Sequence, residues 1–312
     1  VSGFLSFNMA KGGVLRLGSV EDGNGVLQVL SDNETVIGEI NGLTGASFTT
    51  VTAGDIISES VVKRNTTDMN IYVDPVGGSD TNIGDGWGSP LATLQEAVNR
   101  VPKWNEAIIK IIAHYNNARN MVEDVIVEGF YGTGQITIDF QTTQNTLNGS
   151  IRVSKCQHDV IINKSKLVNV DGTSGVLTAY GSNRVQIIDS LVYCRGINPY
   201  GLYANGAYLR ADNTKIYDAK TAAILSAYGS QVEVHDCDGS GNNRGLWVLG
   251  PSIIGGAGSA PAGTANTFSS DGGVIASTFT FPSSAPPETP PEPDKTYTWS
   301  ATSSKSWRDT SG

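Results

Sequence analysis

The chain repeats itself at an interval of little more than twenty residues, and that period restricts what it can become. Leu177-Thr-Ala-Tyr-Gly-Ser182 returns as Leu202-Tyr-Ala-Asn-Gly-Ala207 and as Leu225-Ser-Ala-Tyr-Gly-Ser230, with Leu246-Trp-Val-Leu-Gly250 as a weaker relative. Counted from Val153, which takes the same place one turn earlier, the leading positions lie 24, 25, 23 and 21 residues apart. A second column agrees: Val160, Val185, Leu209 and Val232, followed two residues on by Ile162, Ile187, Ala211 and Val234. Five residues after each member of that column comes a small residue (Ser165, Ser190, Thr214, Cys237), and two further on another apolar one (Leu167, Val192, Ile216), until the pattern lapses at Gly239. Alternation with period two, a small residue at a corner and a second apolar run make one turn of a solenoid. Ankyrin and tetratricopeptide repeats are longer and helical, and the Leu and Asn pattern of leucine-rich repeats is absent. The expected fold is therefore all-β: a parallel β-helix whose rungs stack about 4.8 Å apart and place like residues in columns.

Composition supports this reading. Charged residues make up only 16% of the chain, and 37 glycines accompany abundant Ser, Thr and Asn, a mixture suited to short strands and tight turns. The formal net charge of -9 argues against a nucleic-acid partner, which needs a basic face. No run approaches the roughly 18 apolar residues of a membrane span, so no membrane insertion is expected. The opening Val1-to-Ala10 stretch lacks the basic start and long apolar core of a signal peptide, and the whole reads as a piece of something longer. Cys156, Cys194 and Cys237 show no metal spacing and read as small residues packed inside the solenoid.

Five zones follow. Residues 1–68 form a β-rich stem, with short apolar runs at Gly13–Gly18, Gly25–Leu30 and Thr35–Ile40 separated by turn signals. These bury too little to stand alone, so an intertwined homotrimer is expected, with a three-stranded meander as the alternative. Residues 69–103 hold a Gly-rich loop and a capping helix over 90–101: Ser89 reads as the N-cap, Pro90 as the first helical residue, and Leu91, Leu94, Val98 and Val101 recur at helical spacing before Pro102. Such a helix covers the open end of a solenoid. Residues 104–281 are the β-helix, with Ile108–Ile112, Val125–Val127 and Ile136–Phe140 as looser early coils. Residues 282–295 form a stiff proline-rich linker, and 296–312 begin a further unit.

Two segments resemble known proteins. Ile71-Tyr-Val-Asp-Pro-Val-Gly-Gly-Ser-Asp80, continued by Gly84-Asp-Gly-Trp-Gly-Ser-Pro90 and Thr93-Leu-Gln-Glu-Ala-Val98, is similar to the start of pectate-lyase-like right-handed β-helices, common in phage tail spikes and secreted polysaccharide-active proteins. The motifs Asn24-Gly-Val-Leu27 and Gly38-Glu-Ile-Asn-Gly42 resemble tail-tip and minor structural proteins of long-tailed phages of Gram-positive hosts. The resemblance covers about half the chain. It implies a trimeric, extracellular virion component that meets other tail proteins and a host-surface polysaccharide. It identifies no catalytic residue.

Alternation makes the outward face legible. Gln186, Arg210 and Glu233 form one outward column; Asn163, Ile188, Asp212 and His235 form the next; Arg184, Tyr208 and Gln231 flank them. Arg210, Asp212, Glu233 and His235 thus fall on two adjacent rungs. Two carboxylates near a base could hydrolyse a glycosidic bond, Tyr208 stacking on the sugar, as in a polysaccharide or teichoic-acid depolymerase. The simpler account is complementary pairing between neighbouring strands. Asp189, Asp236, Lys164 and Asn213 read as corner-turn residues. Asp74, Asp80 and Asp85, with Asn82, supply clustered oxygens that suit calcium, but not at EF-hand spacing, and turn formation explains them as well. His114, His158 and His235 show no zinc spacing, and no cofactor is expected. Tyr180, Tyr203, Tyr208, Tyr228 and Trp247 recur near turns, either sealing a corner or forming a sugar-contacting stripe. Three functions are thus carried forward: a glycan-binding tail component, a depolymerase using Asp212 and Glu233, and a passive stem.

Overall fold

The computed structural model describes residues 64–113, 120–169, 175–195, 197 and 200–282, together with the backbone of the strands at 4–8, 14–19, 25–30, 36–41, 45–47, 297–298 and 308–309. Two units separate, Val1–Val61 and Val62–Gly312. In the first, strands Val14–Ser19, Gly25–Leu30 and Val36–Asn41 coincide with the three apolar runs. Phe4–Asn8 and Gly45–Ser47 add an edge on either side, giving a five-stranded antiparallel meander in sequence order. The linker expected at 282–295 lies outside the described residues apart from Pro282, as does His114. So does the unit at 296–312, apart from the paired strands Tyr297–Thr298 and Arg308–Asp309.

The second unit is a right-handed parallel β-helix built from three parallel sheets. One coil runs from Lys166–Asn169 in a five-stranded sheet, through Gly175–Tyr180 in a seven-stranded sheet, to Arg184–Ile188 in a nine-stranded sheet, and the next repeats that order. Val160, Val185, Leu209 and Val232 stack in register, as do Ile162, Ile187, Ala211 and Val234, and every one of them is fully buried. Each large member of such a column contributes about 1.5–3 kcal/mol by leaving water. Leu167, Val192 and Ile216 form the matching column of the five-stranded sheet. The early runs join the ladder, Ile108–Ala113 pairing with Gln135–Asp139. Met69–Val73 pairs with Ile108–Ala113, so the β-helix begins one rung before residue 104.

The first repeat column needs correcting. Leu177 pairs with Leu202, but Leu202 pairs with Ile224, and Ile224 with Leu246. The coil is one residue shorter than the motif alignment implies, which turns Leu225 to the outer face. Likewise Ile151, not Val153, stands beside Leu177. Sequence similarity aligned the turns, whereas backbone pairing aligns the strands, and the two differ wherever a corner gains or loses a residue.

The corners are turned by left-handed residues. Between the nine- and five-stranded sheets, Lys164, Asp189, Asn213 and Asp236 have φ of 52, 50, 44 and 48°. Asx residues tolerate this region better than most. Asn213 Nδ2 donates to Asp189 Oδ1 at 2.8 Å, linking two rungs at this corner. The small residue that follows each is buried, and Ser165 Oγ lies 3.0 Å from Ser190 Oγ. Cys156, Cys194 and Cys237 are free and buried, and burial raises all three thiols above their ordinary range.

The cap is a single helix, α1, over Leu94–Asn99, shorter than the expected 90–101. Thr93, not Ser89, is its N-cap, accepting from Glu96 N at 3.1 Å. Leu91 stays extended, its N–H bonding Tyr72 O and its carbonyl accepting from Asp74 N, while Ser89 Oγ donates to Asp85. Competing strand pairing at Leu91 therefore delays the helix. Leu94, Ala97 and Val98 close the core at this end. Glu123 reaches over from the first full coil, its two oxygens accepting from Leu94 N and Gln95 N at 2.8 and 2.9 Å. It thereby satisfies orphan donors of the first helical turn. Replacing Glu123 by Ala should cost about 1–2 kcal/mol in urea denaturation; an unchanged midpoint and slope would mean that the carboxylate does not hold the cap.

Candidate functional site

Two outward faces carry the candidate residues. On the nine-stranded sheet, Gln186, Arg210 and Glu233 occupy one column and Ile188, Asp212 and His235 the next. Arg210 Nε and Nη2 donate to the two oxygens of Asp212 at 2.7 and 2.9 Å. This bidentate contact raises the Arg210 pKa and leaves neither Asp212 oxygen free of the guanidinium. Glu233 Oε2 lies 3.8 Å from Arg210 Nη1 and 3.7 Å from His235 Nε2. The Tyr208 hydroxyl is pushed up to about 12, by burial first and then by its hydrogen bond to Glu233 and that carboxylate's charge. Glu233 thus sits among Tyr208, Arg210 and His235, and the buried His235 Nε2 makes no hydrogen bond among the described residues.

The rest of this face is paired in the same manner. Arg184 reaches Asp159 at 3.2 Å, and Gln186, 7% exposed despite pointing outward, lies beneath Arg184 and accepts from it. Lys110 bonds Asp139 at 2.8 Å. Charge partners one rung apart or two residues apart hold one another, which gives a solvated sheet face a modest stabilisation.

The seven-stranded sheet carries a different face. Thr178, Tyr203, Leu225, Trp247 and Phe268 form one outward column. Tyr180 packs edge-on against Tyr203 with centroids 5.8 Å apart; Tyr200 lies 5.3 Å from Tyr203 and 6.4 Å from Trp247; Trp247 meets Phe268 at 5.8 Å. Leu225 points outward yet is only 3% exposed, because aromatic neighbours in the adjoining rungs cover it. The guanidinium of Arg244 lies 4.7 Å over the Trp247 ring and 4.6 Å over that of Phe268, a cation–π arrangement.

The structure brings Tyr180, Tyr203 and Trp247 together on this face and sends Tyr208 to the nine-stranded sheet. Tyr228 sits on the corner between the two sheets with φ 56°, 65% exposed. Burial first, and the Tyr228 charge after it, raises the Tyr200 and Tyr203 hydroxyls. Sequence reasoning missed Tyr200, Phe268 and Arg244. The first two stand where the repeat motif has no counterpart, and Arg244 reaches the face because the strand breaks its alternation at Gly245.

The acidic loop is occupied by its own backbone. Asp80 accepts from Ala92 N, Thr93 N and Thr93 Oγ1, Asp74 from Val76 N, and Asp85 from Ser89 Oγ. Among the described residues no three His, Cys, Asp or Glu side chains gather as a metal site. His158 is buried against Tyr131 O, which burial answers by lowering its pKa.

The Tyr208 proton reports the polar network. Its folded pKa is raised, so its contribution to stability is complete below pH 10 and is lost as pH rises toward about 12. Wild type should therefore lose stability more steeply than Tyr208→Phe across that window. In Glu233→Gln the phenolate absorbance should appear at lower pH; an unmoved midpoint would exclude the Tyr208–Glu233 bond.

No protein-family model matches the chain, and no curated protein does. Among solved structures it is similar to pectate lyase Pel9A, at 13% identity and a TM-score of 0.36, over 62% of this chain and 54% of that one. The chain thus spans about half of that lyase's length, and a likeness so distant carries no argument about chemistry.

Proposed function

We propose that this chain is a segment of a phage tail spike or tail tip, homotrimeric in the virion, that binds a polysaccharide on the host surface. The observation that carries the reading is the aromatic face of the seven-stranded sheet. Rings of Tyr180, Tyr200, Tyr203, Trp247 and Phe268 lie along one sheet of a rigid scaffold, with the Leu225 rung between Tyr203 and Trp247, so their spacing is set by backbone pairing and not by the ligand. Sugars offer apolar ring faces edged by hydroxyls. Aromatic side chains with a polar handle match both, and little ordering entropy is lost when the platform is already rigid. The N-terminal strands pair with one another as a meander, and the edge strands Phe4–Asn8 and Gly45–Ser47, each paired on one side among the described residues, are where partner chains of a trimer would add.

A depolymerase is the second reading. The grouping of Glu233 with Tyr208, Arg210 and His235 favours it, and the clamp of Arg210 on both oxygens of Asp212 weighs against it.

Co-sedimentation with purified Gram-positive cell walls tests the two together. Wild type should bind without releasing reducing sugar. Tyr203→Ala and Trp247→Phe should each weaken binding about tenfold, roughly 1.4 kcal/mol, with unchanged circular dichroism. Sugar release lost in Glu233→Gln would establish the enzyme instead. Failure to bind any wall would leave only the passive stem.

A further inference from the structure

We infer that the glycan taken by the aromatic face carries isolated anionic groups, carboxylate or phosphate, and that Arg244 is the residue that selects for them. This rests on the glycan-binding reading above. Several basic groups of the described outer surface meet acidic ones, as Lys110 meets Asp139, Lys155 Glu128, Arg184 Asp159 and Arg210 Asp212. Arg244 differs. Among the described residues no carboxylate lies within ion-pair distance of it, and it is held by two ring faces. Stacking fixes the plane of the guanidinium while leaving its N–H edge unspent. That is the pre-organised form in which Arg takes an oxyanion through paired hydrogen bonds.

Phenols extend the donor set. Tyr203 Oη accepts from Asn205 Nδ2 at 2.8 Å, so its own proton points elsewhere. Tyr200 lies 5.3 Å from Tyr203 and 6.4 Å from Trp247, the ring that Arg244 covers. Burial raises the Tyr200 and Tyr203 hydroxyls, so they stay protonated donors at neutral pH. A guanidinium stacked on an aromatic floor that also carries tyrosines fits a sugar ring bearing one charged substituent.

The net charge of -9 sharpens the class of ligand. It opposes a dense polyanion such as duplex DNA, with a charge every 1.7 Å or so. At physiological salt, repulsion from charges beyond about 8 Å is screened, whereas a contact at Arg244 is not. Widely spaced charges are therefore accepted and closely spaced ones refused.

Affinity electrophoresis of the full chain through three polymers tests this: neutral dextran, hyaluronan with one carboxylate per disaccharide, and a glycosylated wall teichoic acid bearing phosphate. Wild type should be retarded by a charged polymer and not by dextran. Arg244→Gln should lose at least tenfold of that retardation, and Arg244→Lys should recover part of it. Which charged polymer retards it separates carboxylate from phosphate. Retardation by dextran as strong as by either charged polymer, or a charged-polymer signal unchanged in Arg244→Gln, would overturn the inference while leaving glycan binding intact. Retardation by none of the three would overturn both.

Discussion

Parallel hydrogen bonding between successive coils is the constraint on which the rest of this molecule depends. Each rung takes its register from the one before, so a side chain's neighbours along the axis are decided by the backbone. Inside, this stacks Val160, Val185, Leu209 and Val232 into an unbroken apolar column. Outside, the same pairing lines up whatever the sequence supplies. On one sheet it supplies complementary charges and on another aromatic rings, and the two faces differ in kind for that reason alone.

The difference bears on function. On the nine-stranded sheet, charged side chains one rung apart or two residues apart along a strand find partners, and Arg210 holds both oxygens of Asp212. A carboxylate clamped through both oxygens, as Asp212 is, has little left to offer a ligand. Aromatic rings cannot be satisfied in that way. They pack edge-on or tilted, cover Leu225, and stay half-buried, with Phe268 exposed at the end of the column. Arg244 resting on two of those rings adds a cation without a described counter-ion. The seven-stranded sheet is therefore the face we propose for binding.

Much of the fold was legible in the residues. The Val160 and Ile162 columns, the small corner residues and the outward columns through Arg210 and Asp212 all stand where alternation with period two puts them. What escaped has a physical cause in each case. Helix α1 starts at Leu94 because Leu91 is captured as an extended neighbour of the Met69–Val73 strand, a long-range bond that helical spacing does not reveal. Leu225 was aligned with Leu202 because the motif around each Gly looks alike, while a shorter coil shifts the strand by one. That shift moves Tyr228 off the sheet and onto a left-handed corner. Of the aromatic face, Tyr180, Tyr203 and Trp247 could be named from the repeat. Tyr200, Phe268 and Arg244 could not, because they reach the face through cross-rung geometry and a local break in alternation.

Where a sugar sits decides between the two faces. A crystal structure of the full chain with a bound wall-derived oligosaccharide measures that directly. It should show sugar rings stacked over Trp247 and Tyr203, with a charged substituent at the Arg244 guanidinium. Sugar lying instead across the nine-stranded sheet, with a glycosidic oxygen at Glu233, would contradict it.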